Sequence, residues 1–201
     1  MTSGLQSIPP SMIDLPEPAD IKAWATENGI LVLAHSYQDG FIQECAHFVG
    51  DSLELARVAA SENADAICFA GVHFMAETAK LLNPNADVFV PDLEAGCSLA
   101  ESCPAENLKK YQDFLERKLG KRPTTVAYIN CTAAVKALCD IICTSGNARA
   151  VVDSIPEDQH ILFVPDKHLG GWLNEVTGRE MTLWDGACHV HELFSVDSLL
   201  E

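Results

Sequence analysis

Hydrophobic residues fall along this chain in short apolar runs separated by amphipathic stretches that close on Gly, Asn or Pro. The runs at 30–34, 66–71, 88–90, 125–130, 140–147 and 161–164 are rich in β-branched and aromatic residues and predict buried strands. Between them, 20–28, 53–60, 74–82, 105–119 and 132–138 carry helical periodicity, and a short helix is expected from 148. Boundary residues agree with this division. Asp20 opens the first helix and Gly29 closes it, Asp51 with Glu54 three residues on resembles a capping box, Asn83-Pro84 ends the third helix and Gly120 caps the fourth. Strands alternating with helices at this spacing predict βαβ units and a mostly parallel sheet. After the charged helix 105–119 the pattern restarts, so two related α/β units are expected.

One device recurs. Val88-Phe89-Val90-Pro91-Asp92 leads to Gly96-Cys97, and Leu162-Phe163-Val164-Pro165-Asp166 leads to Gly186-Ala187-Cys188. Both read as a buried strand whose end opens into a thiol-bearing loop, an internal repeat whose thiols can meet. Cysteine is also a small residue at home in a core. Cys45, Cys68, Cys131, Cys139 and Cys143 lie in apolar runs and are read as core. Cys103 is a weaker ligand candidate. Cys188 stands in Trp184-Asp185-Gly186-Ala187-Cys188-His189-Val190-His191-Glu192, dense in possible metal ligands. No Cys-x-x-Cys pair occurs, which argues against a zinc ribbon or a bacterial-ferredoxin cluster.

In open parallel sheets ligands bind beyond the C-terminal ends of the strands. Those ends carry His35 and Tyr37, Gly71, Asp92, Tyr128 and Asn130, Ser145 and Asn147, and Asp166. Imidazole, phenol, amide and hydroxyl groups suit a small polyanion and include acid–base groups for neutral pH. Each also has a purely structural role open to it. His35 fits a core histidine, Ser52 beside Asp51 a helix cap, Ser145 a turn, and Tyr128 and Asn130 partners for backbone groups. Lys136 is expected on a solvated face or beside acidic neighbours.

Charge narrows the partners. The 201 residues carry a formal charge of −16, which opposes non-specific binding to nucleic acid or an anionic membrane. Anionic substrates would need local devices such as helix N-termini, hydroxyls or a metal. No apolar run is long enough for a membrane span. Residues 1–18 lack the features of a signal peptide and read as a lead-in. Eight cysteines then point to thiol, metal or redox chemistry in a cytoplasmic protein rather than a disulfide framework.

Seven stretches in order carry a resemblance: Ala34-His35-Ser36-Tyr37-Gln38, Gly50-Asp51-Ser52-Leu53, Gly71-Val72-His73-Phe74-Met75-Ala76-Glu77-Thr78, Ala95-Gly96-Cys97, Tyr128-Ile129-Asn130, Cys143-Thr144-Ser145-Gly146-Asn147 and Cys188-His189-Val190-His191-Glu192. As a set they resemble the quinolinate synthase family, the second enzyme of the bacterial aspartate route to NAD. The resemblance implies condensation of iminoaspartate with dihydroxyacetone phosphate to quinolinate, phosphate and water, and a functional link to L-aspartate oxidase. It implies three-layer α/β/α units with parallel sheets, three of them around a pseudo-three-fold axis. It also implies a [4Fe-4S] cluster held by one cysteine per unit, here Cys97 and Cys188, with an open iron acting as a Lewis acid. His35, Ser52, Tyr128, Ile129, Asn130 and Ser145 would bind substrate, with His35, Tyr37 and Tyr128 moving protons.

On this reading residues 1–19 are the lead-in, 20–104 a first unit and 105–201 a second. The family's third unit, with a His-Pro-Glu segment, a Gly-Ser-Thr loop and the third cysteine, is expected to be absent, so that the chain is a truncated form inactive by itself. Two other classes stand beside it. One is a zinc-binding α/β module using Cys97, Cys188, His189 and His191. The other is an inactive paralogue that binds a small anion or pairs with another chain.

Overall fold

The computed structural model describes residues 16–62, 64–193 and 195. Of the expected lead-in, residues 1–15 lie outside the described residues, and Pro18 already belongs to helix α1 (Pro18–Glu27), whose proline sits at the helix start where its missing N–H costs nothing. The elements then run β1 (Ile30–His35), α2 (Gly40–Cys45), β2 (Phe48–Gly50), α3 (Ser52–Ser61), β3 (Ala66–Ala70), α4 (His73–Leu82), β4 (Asp87–Phe89) and α5 (Ser98–Glu101). The same succession follows in α6 (Ala105–Leu119), β5 (Thr124–Tyr128), α7 (Ala133–Lys136), β6 (Ile141–Cys143), α8 (Ala148–Asp153), β7 (Ile161–Val164), α9 (Lys167–Thr177), β8 (Thr182–Leu183) and α10 (His189–Glu192).

Two four-stranded parallel sheets result, ordered β2-β1-β3-β4 and β6-β5-β7-β8. Their central strands are mostly apolar, with buried Thr125 in β5 an exception, because helices cover both faces. In β1, Leu31 and Leu33 face α3 and α4 within a cluster that includes Leu55, Phe69 and Phe74, while Val32 and Ala34 face the opposite layer with Ala25 of α1. The second sheet repeats the division. Val126 and Phe163 pack towards α8 and α9 with Val152 and Leu173, and Ala127, Leu162 and Val164 pack against Leu108 and Leu115 of α6 and Val135 of α7. These are two three-layer α/β/α units.

The register corrects the expected repeat. The stretch ending in Pro91-Asp92 is the edge strand β4, whereas Leu162-Phe163-Val164 is the central strand β7, the counterpart of β3. The strand that precedes Cys188 is β8, and α9 intervenes. The shared Val-Pro-Asp therefore marks different positions in the two units. Nor is β4 buried: Phe89 is 54% exposed, because an edge strand has a neighbour on one side only. The strand expected over 140–147 contracts to β6, since Thr144 and Asn147 close a side-chain turn that ends it. The helix expected over 132–138 contracts to α7.

Candidate active site

His35 is the last residue of β1 and Tyr128 the last of β5. In register His35 pairs with Gly50 and Tyr128 with Cys143, and Ser52 and Ser145 each lie two residues beyond those partners. Two equivalent strand ends thus supply two equivalent sets of polar groups. The units bring them to opposite walls of one open cleft of about 430 Å³. His35, Tyr37 and Ser52 line it from the first unit, and Tyr128, Ile129, Asn130 and Ser145 from the second. Asp51, Met75, Thr144 and His191 line it as well. Of these additions, Asp51 and Thr144 adjoin residues chosen from sequence, and His191 stood in the metal-rich stretch. Nothing local in the sequence distinguishes Met75 from a core methionine.

Local chemistry fixes each group. Tyr37 N–H donates to His35 Nδ1 at 3.3 Å, so a neutral imidazole carries its proton on Nε2. The two rings lie 3.9 Å apart between centroids. Burial pushes the His35 pKa below its ordinary value, partly offset by the Asp51 carboxylate. Asp51 itself caps α3, its Oδ1 accepting from Leu53 N and Glu54 N at 2.8 Å each, which is the backbone half of the expected box. Both phenols are pushed upwards. For Tyr37 the cause is burial, with a backbone hydrogen bond at Val72 opposing it and Cys97 adding to it. For Tyr128 burial leads, followed by Asp166, Cys143, Cys97 and Cys188. At neutral pH the cleft therefore offers a proton acceptor in His35 and proton donors in the tyrosines.

Asn130 carries the feature that packing does not explain. Its Oδ1 is buried and has no hydrogen-bond partner. A buried, unpaired amide oxygen costs about 1–3 kcal/mol. Among the described residues no Lys or Arg lines the cleft, so an anion there would meet hydroxyls, amides and imidazoles.

Cys97 and Cys188 occupy matching positions as N-caps of α5 and α10. Both are partly exposed, and their loops touch: His189 N–H donates to Ser98 Oγ at 3.1 Å. Both thiols also bear on Tyr128. Two partly exposed thiols thus lie on loops that meet at the unit junction. Among the described residues no set of three or more His, Cys, Asp or Glu side chains is gathered to hold a metal ion. The zinc site expected from Cys97, Cys188, His189 and His191 is therefore not assembled. Cys103 is corrected too: it is fully buried in the α6–sheet core, where burial and the neighbouring Cys131 push its thiol up to about 12. Lys136 is not on a solvated face. It is partly buried at the junction, 5.4 Å from the Phe74 ring centroid, with its pKa lowered by burial. Asp166 is 5% exposed and caps α9 through His168 N and Leu169 N, while exposed Asp92 caps its own turn through Glu94 N.

The profile of the family described as Quinolinate synthetase A protein matches residues 19–201. The chain belongs to the quinolinate synthase family. It is 57% identical over 173 residues to "Quinolinate synthase" of Prochlorococcus marinus (strain MIT 9303), covering 85% of this chain and 50% of that protein. With the Synechococcus sp. (strain ATCC 27144) protein of the same name it shares 53% over 190 residues, covering 94% and 58%. The Chloroherpeton thalassium protein shares 52% over 192 residues, covering 94% and 57%. The chain thus spans about half the length of these relatives. Among the described residues no helix is long and apolar enough to cross a membrane.

Proposed function

We propose that this chain supplies two of the units that build a quinolinate synthase site, in which iminoaspartate condenses with dihydroxyacetone phosphate to give quinolinate, phosphate and water. The observation that supports it most is the meeting of polar groups from both units in one cleft, His35, Tyr37 and Ser52 from the first and Tyr128, Asn130 and Ser145 from the second. Rotation of an amide lets Asn130 meet either a hydroxyl or a carboxylate of the ligand. The packing of α6 on the second sheet supports a division between the units at 104/105.

The roles follow from chemistry. Ser52, Ser145 and the backbone around Tyr128–Asn130 would hold carboxylate and phosphate oxygens by hydrogen bonds, local devices that offset the acidic field of the chain. Neutral His35 would accept protons in the condensation, and Tyr37 and Tyr128 would return them in the dehydrations. Cys97 and Cys188 would be two ligands of a [4Fe-4S] cluster. When bound, that cluster supplies a Lewis acid for a substrate oxygen or nitrogen.

Calorimetric titration with quinolinate, for wild type and Asn130→Ala, tests the reading. Saturable binding that weakens about tenfold in the variant is expected, the loss of one good hydrogen bond. Equal affinity of the two proteins would contradict it.

A further inference from the structure

The wall that carries Asn130 is not held by its own unit alone. After β5 the chain turns tightly, with Cys131 N–H donating to Ile129 O at 2.8 Å, and enters α7 at Ala133. The side chain of the N-cap Thr132 accepts from Val135 N, leaving the first helical N–H to find another acceptor. It finds one in the other unit. Ala133 N–H donates to Glu77 Oε2 on α4 at 2.8 Å, across 56 residues of sequence. Lys136, one turn on, donates from Nζ to Cys131 O and lies against Phe74, also on α4. The same helix presents Met75 to the cleft. The turn between Asn130 and α7 is thus pinned from both ends, and the acceptor at one end belongs to the other unit.

We propose that Glu77 is a positioning residue: by holding Ala133 N–H across the junction it sets the Ile129–Ala133 turn and aims the Asn130 amide into the cleft. This rests on the reading of the cleft as the quinolinate site. Glu77 touches no ligand itself and is absent from the cleft wall. Its effect passes through the backbone to Asn130.

Two substitutions break the latch from opposite sides. Glu77→Leu removes the acceptor, and Ala133→Pro removes the donor while leaving Glu77 in place. Proline is well tolerated at a first helical position, and Thr132 before it already has the extended backbone (φ −67, ψ 160) that proline demands. Glu77→Gln keeps an acceptor oxygen and serves as rescue.

In nuclear magnetic resonance spectra of the full chain without ligand, the Asn130 side-chain amide signals should move together in Glu77→Leu and Ala133→Pro and stay in place in Glu77→Gln. Ala133 amide exchange should quicken about tenfold in Glu77→Leu and little in Glu77→Gln. Quinolinate affinity should fall about tenfold in Glu77→Leu. It should fall no further in Glu77→Leu/Asn130→Ala than in Asn130→Ala alone, because the two act through one contact. Unmoved Asn130 signals, or losses that add in the double variant, would overturn the proposal. If Glu77→Leu does not fold, Ala133→Pro carries the same comparison. If wild type binds no quinolinate, the functional reading falls, and the ligand-free Asn130 signals alone decide on the latch.

Discussion

Two units with the same order of strands place different chemistry on equivalent positions. The first ends its central strand in His35 and follows it with Tyr37, and the second ends in Tyr128 and follows it with Asn130. One side of the cleft therefore pairs a proton acceptor, His35, with a donor, Tyr37, and the other has the donor Tyr128 and an amide with an unpaired oxygen. The serines and cysteines, by contrast, are the same in both units: Ser52 matches Ser145, and Cys97 matches Cys188. What is duplicated is a hydroxyl and a thiol, and what has diverged is the imidazole, phenol and amide at the strand ends. A repeated scaffold can keep its binding groups while the strand ends specialise.

The largest expected contrast separates the duplicated thiols from the rest. In native protein Cys97 and Cys188, partly exposed at the junction, should react with a maleimide long before Cys103, Cys131 and Cys143. Burial pushes those three up to about 12, 11 and 12, and a thiol displaced from 9.0 to about 12 loses roughly a thousandfold in thiolate at neutral pH before access is counted. Mass spectrometry of a timed labelling reaction checks this. Early labelling of Cys103 would place it back among the ligand candidates.

A packing difference between the units offers the next test. Ala76 and Gly170 each stand four residues after the N-cap of α4 and α9. In the first unit the methyl group fits, with Ala76 6% exposed. In the second a Cβ at Gly170 would meet Leu183 Cδ2 at 2.6 Å and Phe163 Cδ1 at 3.0 Å. Gly170→Ala should destabilise by about 1–3 kcal/mol in denaturant unfolding. The neighbouring Gly171, open to space, should tolerate alanine and gain about 0.5–1 kcal/mol. Equal effects at the two positions would show that the units pack these helices alike.

The smallest effect concerns the proton acceptor. The His35 imidazole signal should titrate with a midpoint below 6.5, and Asp51→Asn should lower it further. The sign follows from the cause: burial disfavours the imidazolium, and the Asp51 charge is what partly restores it. His35 thus remains neutral at pH 7 and loses its accepting capacity only on the acid side of its ordinary midpoint. A midpoint that rises in Asp51→Asn would reverse the assignment.

Much of this was legible before any coordinates. The helix at 105–119 and its cap Gly120, in the left-handed conformation, follow from amphipathic period and a terminal glycine. Six polar cleft residues, His35, Tyr37, Ser52, Tyr128, Asn130 and Ser145, sit at or just beyond strand ends, which is what an apolar run stopping at a polar cluster encodes. Other features depend on neighbours that the local sequence does not contain. Helix α9 is obscured by Gly170-Gly171, yet Gly170 is there because β7 and β8 approach closely. Val-Pro-Asp looks like one device used twice, and only strand order shows that β4 is an edge and β7 a centre. Lys136 reads as a solvated residue or a partner of acidic neighbours. The solvated half fails because Phe74, which it lies against, belongs to the other unit, while Glu77 is an acidic neighbour there.

The measurement that bears most directly on the central claim is a resonance titration of the labelled chain with quinolinate. The account predicts saturable shifts at Ser52 in the first unit and at Asn130 and Ser145 in the second, moving in parallel with one affinity. Shifts confined to one unit, or a spectrum that quinolinate leaves unchanged, would contradict a site shared across the junction.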